Sequence, residues 1–195
     1  MRLTAAWPLL AVLPFAGAPQ PSATRWPLAS ELMLAADACS YAPPDFKRQL
    51  AKHRQRLMNG VRDAAAAEKG TRDAAQHRAA AARGARAIVA MVRDHHPFSE
   101  IAYQSGGIVH EIAAALPYDG KPPASSRFLG FSADPFRDPE TLAAAALPAR
   151  GPQETYDAAL TLATRLLTWT WKYAGGDARI AAQYPDAKGP YVVRE

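Results

Sequence analysis

The sequence predicts an all-α fold: a single-domain helical bundle with one long irregular loop between its central and final helices. Three observations predict it. Alanine is abundant and clustered, at 64–67, 79–82 and 143–146, and runs of β-branched residues are absent. Apolar residues recur three and four positions apart in segment after segment. The 17 prolines fall mostly between those segments and separate them. With 195 residues the chain is long enough for one domain with a real core.

Taken in order, the chain opens with Met1-Arg2, a short positive start. An apolar stretch, Leu3 to Phe15, and an A-x-A site at Ala16-Gly17-Ala18 follow. This pattern predicts an export signal over 1–18, extending to 23 if Pro21-Ser22-Ala23 is cut instead. Pro8, Pro14 and the short length argue against a membrane span. The protein is expected to be exported, either periplasmic or secreted. The folded domain should occupy 24–177, and 178–195 should form an extended tail.

Within the domain, Ser30 is placed to cap a short helix from Glu31 to about Cys39, which Tyr41-Ala-Pro-Pro44 ends. A second helix runs from Asp45 to Asn59, with Phe46, Leu50, Leu57 and Met58 on its apolar side and Asn59-Gly60 as its stop. Val61 to Lys69 reads as a helical continuation or a loop, ended by Gly70. Thr71 is a plausible cap for a long helix to about Arg93, in which Gly84 marks a close crossing. The central helix runs from Ser99, as cap, to Leu116. A long connection, 117–139, carries Phe128, Leu129, Phe131 and Phe136 and should pack down onto the domain. A short helix spans Glu140 to about Leu147, and a last helix spans Gln153 to about Ala174. That last helix has a broad apolar face and a polar stripe of Asp157, Thr161, Arg165, Thr168 and Lys172. It should be a core column buried on more than one side.

The formal net charge is +5, but the Lys and Arg residues are spread over several helices. No basic-aromatic pattern of a nucleic-acid module occurs, so the charge reads mainly as solvated helix faces. Cys39 is the only cysteine, which excludes an internal disulfide and suggests a small buried helix residue.

Self-sufficient catalytic motifs are missing. The chain has no phosphate-binding glycine loop, no G-x-S-x-G elbow, no C-x-x-C pair and no H-E-x-x-H. The residues able to handle a metal or a proton are Asp63, Asp73, His77, His95, His96, His110, Glu111, Asp119 and Asp157. A catalytic zinc needs at least three ligands and an open position for water, and these residues show no diagnostic spacing. One stripe of the central helix is unusual: Tyr103, Gly106 or Gly107, His110 and Ala114 share a face. Two adjacent glycines cost about 1 kcal/mol each in a helix interior. Either a backbone or a ligand comes close there, or the stripe is tight packing beside an ordinary core histidine.

The order of features resembles the all-α zinc-dependent phospholipase C and single-strand nuclease superfamily, in particular its divergent bacterial members. The features are an export signal, a Trp near the start of the mature chain, a Pro-Pro-Asp helix restart, a helix ending in Gly, the segment H-x-P-F-S-E-x-A-Y-Q-x-G-x-x-x-H (His95 to His110), a long loop, and a final helix rich in Leu and Trp. The resemblance implies a cluster of zinc ions held by His, Asp and the N-terminal Trp, and a metal-activated water that attacks a phosphodiester. Carried over, Trp26 matches the N-terminal Trp, Asp63 the aspartate after the helix-ending glycine, and His110 the start of an H-x-x-x-D segment. Glu31 is the nearest ligand-capable residue to the missing histidine of the first helix. The aspartate of the H-x-x-x-D segment falls on Ala114, the next histidine falls near Gly120, and the later H-x-x-x-E pair falls on Gln153 and Tyr156-Asp157.

A three-zinc site cannot be assembled from this set. The resemblance therefore implies an exported relative with a degraded metal site, weakly catalytic or non-catalytic, whose partner is a phospholipid or another phosphodiester. The alternative is an active metal-dependent phosphodiesterase with a reduced zinc site made of His110, Asp157, Asp63 and Glu111. A third reading is an unrelated exported bundle whose histidines are structural.

Overall fold

The computed structural model describes residues 25–118, 120–121, 123–130 and 138–176. The segment expected to be an export signal, the expected 178–195 tail, Asp119, Phe131 and Phe136 lie outside the described residues. The described residues form seven helices and no strand. They are α1 Leu28–Ser40, α2 Pro44–Lys52, α3 Arg54–Ala67, α4 Ala74–Arg93, α5 Phe98–Ala114, α6 Pro139–Ala144 and α7 Pro152–Tyr173. None of them is long and apolar enough to cross a membrane.

Helix starts differ from the sequence expectation because proline and aspartate take the caps. α1 starts after Pro27, three residues before Ser30. Ser30 is buried, and its hydroxyl donates to the Gly120 carbonyl at 3.3 Å. Pro97, and not Ser99, takes the N-cap position of α5. Asp73, and not Thr71, caps α4 in a reciprocal box. The Gln76 N–H donates to Asp73 Oδ1 at 2.8 Å, and the Asp73 N–H donates to Gln76 Oε1 at 2.9 Å.

The expected Asp45–Asn59 helix is two helices that break at His53, whose φ of −111° and ψ of 27° are not helical. α3 then runs straight through Asn59-Gly60. The glycine does not stop the helix; it lets another helix in. A Cβ on Gly60 would lie 1.9 Å from the Tyr103 carbonyl oxygen, and one on Gly106 would lie 2.1 Å from the Leu57 carbonyl oxygen. The two glycines face each other where α3 and α5 cross. Gly107 has no neighbouring atom within 4 Å of its missing Cβ. Only one of the two adjacent glycines is therefore required by packing. Gly84 is a mild case, with Ile108 Cγ1 at 3.0 Å.

α5 lies against α3 and α4, while α7 touches α1, α4, α5 and α6. Every residue of α7 from Thr155 to Thr170 is buried, which makes it the core column that its sequence predicts. Three residues of its polar stripe, Asp157, Thr161 and Arg165, face the long loop. The Arg127 N–H donates to Asp157 Oδ1 at 2.8 Å, and the Leu129 N–H donates to Thr161 Oγ1 at 2.9 Å. Arg165 donates twice to the Gly130 carbonyl, at 2.9 and 2.6 Å. At the far end Phe46 stacks on Trp171 with ring centres 4.9 Å apart.

The α4–α5 turn is a Schellman cap. The His96 N–H donates to the Met91 carbonyl at 2.9 Å, and the His95 N–H donates to the Val92 carbonyl at 3.2 Å. His95 occupies the left-handed position with φ 60°, where glycine is usual. The same cap ends α7, with Gly175 at φ 92° in that position. Since a left-handed non-glycine residue costs about 1 kcal/mol or more, His95→Gly is expected to stabilise the protein by about 1 kcal/mol in urea denaturation. A loss of stability in that variant would show that the exposed imidazole makes a contact of its own.

Candidate functional site

The N-terminal end of α1 and the C-terminal end of α5 meet, and His110 lies at that junction. His110 sits one turn before the end of α5 and is 1% exposed. Glu31, in the first turn of α1, is also 1% exposed. Their side chains meet at 2.8 Å between His110 Nδ1 and Glu31 Oε2. A carboxylate only accepts, so Nδ1 carries the proton. The other ring nitrogen, Nε2, is buried without a hydrogen-bond partner.

Trp26 closes one side. Its indole N–H donates to the Leu116 carbonyl at 2.8 Å, and its ring stacks on Tyr118 with centres 4.2 Å apart. Trp26, Glu31, His110 and Ala114 line a cavity of about 300 Å³.

A second histidine, His77, borders the same cavity, while its partner Glu111 lines the α3–α5 groove. His77, on α4 and 4% exposed, meets Glu111 Oε2 through Nδ1 at 2.8 Å. Arg72 donates to both Glu111 oxygens, at 2.9 and 3.0 Å, and to Glu68. Glu68 also accepts the Gly70 N–H at 2.7 Å. The loop between α3 and α4 is thus fastened to α5 by a network of charges.

Burial alone would push the Glu68 carboxyl up. Hydrogen bonds from Arg72 and the Gly70 N–H, with the Arg72 and His77 charges, outweigh it, and the group ends below its ordinary value of 4.5. A carboxyl lowered on folding stabilises the native state above its ordinary value, and that stabilisation is lost as pH falls through the lower folded value. Arg72→Ala should therefore flatten the acid limb of stability. The gap in urea midpoint between wild type and variant should be wide at pH 7 and narrow near pH 3. An equal gap at both pH values would overturn this assignment.

The four proposed metal ligands do not converge. His110 is held by Glu31, and Glu111 by Arg72 and His77. Asp63 lies across the α3–α5 groove and accepts the Tyr103 hydroxyl at 3.0 Å. That bond to a carboxylate, with burial, raises the phenol above its ordinary value. Asp157 is 7% exposed on α7, where it accepts the Arg127 N–H and the Gln153 side-chain amide at 3.0 Å. It anchors the loop. Among the described residues no three His, Cys, Asp or Glu side chains stand close enough to hold a metal ion.

The other candidates also have local roles. Asp73 caps α4, and His96 meets Glu100 Oε2 at 3.0 Å on the exposed α4–α5 turn. Cys39 is half-buried on α1, and burial pushes its thiol up to about 11, which keeps it protonated at neutral pH. Tyr103 and Gly107 open onto the α3–α5 groove, whereas His110 opens onto the Trp26 cavity. The unusual stripe of the central helix therefore serves two separate places.

Sequence reasoning missed the pairing of Glu31 with His110, and the Arg72–Glu68 part of the network. The available signal was a carboxylate, Glu31, in the first turn of a helix that continues as Leu32-Met33-Leu34. Comparison with known proteins finds no family model, no curated protein and no solved structure that matches the chain.

Proposed function

We propose that this chain is an exported all-α protein, akin to the zinc-dependent phospholipase C superfamily, that binds a ligand in the Trp26–His110 cavity with little or no phosphodiesterase activity. The observation that carries the reading is the state of the donors around the cavity. Glu31 is hydrogen-bonded to His110 Nδ1 and Glu68 to Arg72 and the Gly70 N–H, and no three His, Cys, Asp or Glu side chains among the described residues stand close enough to hold a metal ion. Ala114 stands where the resemblance would put the next ligand. A catalytic zinc needs three protein donors, and this donor set does not fit one.

Trp26, Glu31 and His110 sit together as the resemblance leads one to expect, which supports common ancestry. The partner class that the resemblance implies is a phosphodiester, a phospholipid head group included. Export is part of the same reading, and it gives a mature N-terminus at Pro19 or Thr24.

The purified mature protein is expected to carry less than stoichiometric zinc by elemental analysis. It should not hydrolyse bis(p-nitrophenyl) phosphate, with or without added zinc. Zinc bound in a one-to-one ratio and lost in His110→Ala would instead support the reduced-site phosphodiesterase. Mass spectrometry of the mature product reads the cleavage position, and an intact residue 1–23 segment would overturn the export part.

A further inference from the structure

A second cavity, of about 230 Å³, lies where the end of α1 meets the break between α2 and α3, and it shares no residue with the Trp26–His110 cavity. Its cations come from both sides of the break: Lys47 from α2, and Arg54, the first residue of α3. Neither side chain makes an ion pair or a hydrogen bond among the described residues, whereas Arg48 is paired with Asp45, Arg72 with Glu68 and Arg86 with Glu140. One carboxylate, Asp37, also lines the cavity, and it accepts the Tyr156 hydroxyl at 2.9 Å. Burial first, and then Asp37, raise the Tyr41 and Tyr156 phenols, so the Asp37 charge acts on that side. At the Cys39 thiol, on the cavity wall, burial is opposed by the positive charges of Lys47 and Arg54, so both cations reach the same point. Buried Leu50, Leu57 and Met58 supply the apolar part of the lining.

From this arrangement we infer that the cavity is a binding site for a phosphate monoester with a small apolar body, its phosphate held between Lys47 and Arg54 and its body against Leu57 and Met58. The inference goes beyond the reading of the Trp26–His110 cavity and stands independently of it. Three features choose the class. Two cations without carboxylate partners match a group that carries two negative charges, as a phosphate monoester does above its second ionisation at about pH 6. A phosphodiester is a monoanion and leaves one cation unmatched. Both cations act at one point, so the two charges belong on one group and not on the separated ends of a dicarboxylate. Arginine offers a planar fork for two phosphate oxygens, and lysine adds a point charge. The apolar lining favours an ester over bare phosphate, and a volume of about 230 Å³, small for a ligand pocket, suits one ring with no second substituent. Cys39 is a bystander, because its thiol, raised to about 11, stays protonated.

The probe is phenyl phosphate, added to the full-length protein at about pH 8, where it is a dianion. Calorimetry measures its affinity. The rate at which neutral iodoacetamide alkylates Cys39, the only cysteine of the chain, locates the site. Phenyl phosphate should bind saturably and slow that alkylation with the same midpoint. Benzenesulfonate, a monoanion with the same ring, should bind at least about tenfold more weakly, and so should inorganic phosphate, which lacks the ring. Lys47→Gln and Arg54→Gln should each weaken phenyl phosphate by about tenfold or more. Neither side chain has a partner in the fold, so the melting temperature should stay unchanged. Arg48→Gln is the control: it makes the same charge change on α2 outside the cavity lining and should leave the affinity within about twofold. Absence of saturable binding, binding that leaves Cys39 alkylation unchanged, or equal binding of benzenesulfonate or inorganic phosphate would each overturn the inference. So would tighter binding of diphenyl phosphate than of phenyl phosphate, or equal losses in Arg48→Gln and Arg54→Gln.

Discussion

Gly106→Ala should cost about 3 kcal/mol or more, toward the upper end of overpacking changes. Its new methyl group would lie 2.1 Å from the Leu57 carbonyl oxygen and 2.8 Å from the Val61 nitrogen, and both are backbone atoms. No rotamer change relieves such a contact, so α3 and α5 must move apart. Theirs is the most extensive helix–helix contact of the fold. In a domain of this size the loss should lower the melting temperature by about 10 °C. Gly60→Ala should behave alike, since it meets the Tyr103 carbonyl from the other side at 1.9 Å. Gly107→Ala is the control. It meets nothing within 4 Å and should gain about 1 kcal/mol from helix propensity. Thermal melts of the three variants decide the matter: equal effects at 106 and 107 would refute a tight crossing.

Glu31→Ala is expected to cost about 3–5 kcal/mol, the usual penalty for removing one member of a buried pair. The imidazole Nδ1–H would be left 1% exposed with nothing to accept it. The loss should come from that stranding rather than from net attraction in the pair. A double replacement, Glu31→Met with His110→Leu, should therefore recover most of the stability, because well-packed apolar groups often substitute for buried ion pairs at little cost. A urea double-mutant cycle then reads a coupling well above 1 kcal/mol between the two positions. A cost under about 1 kcal/mol for Glu31→Ala alone would mean that His110 finds another acceptor.

The helices were legible because each advertises itself locally, through alanine-rich apolar spacing between prolines. Their ends were less so. Asp73 outcompeted Thr71 as a cap because Gln76 reciprocates its hydrogen bond, a detail that lies three residues away and is easily passed over. Gly60 looked like a stop because glycine ends helices when the chain must turn. It sits mid-helix because another backbone needs its space, which is a property of α5 and not of α3. The fate of Asp157 was hidden for a similar reason. A buried carboxylate on a polar stripe reads as a ligand until the loop that its oxygen anchors is seen. The candidate site itself was half legible. His110, Trp26 and Glu31 stood out one by one, but nothing in the order of residues says that positions 31 and 110 touch, or that His77 and Arg72 enclose the same space.

The clasp of the chain's beginning onto the end of α5 has a consequence for the order of events during synthesis. Trp26 bonds to a carbonyl 90 residues further on, and Glu31 to a histidine 79 residues further on. A ribosome delivers the chain from its N-terminus, so α1 emerges long before either partner exists. Until α5 has emerged, the acid of Glu31 stays in water and the indole of Trp26 has no seat. Completion of this end of the protein is therefore a late step, gated by translation of the middle of the chain, and long-range closure of this kind slows folding.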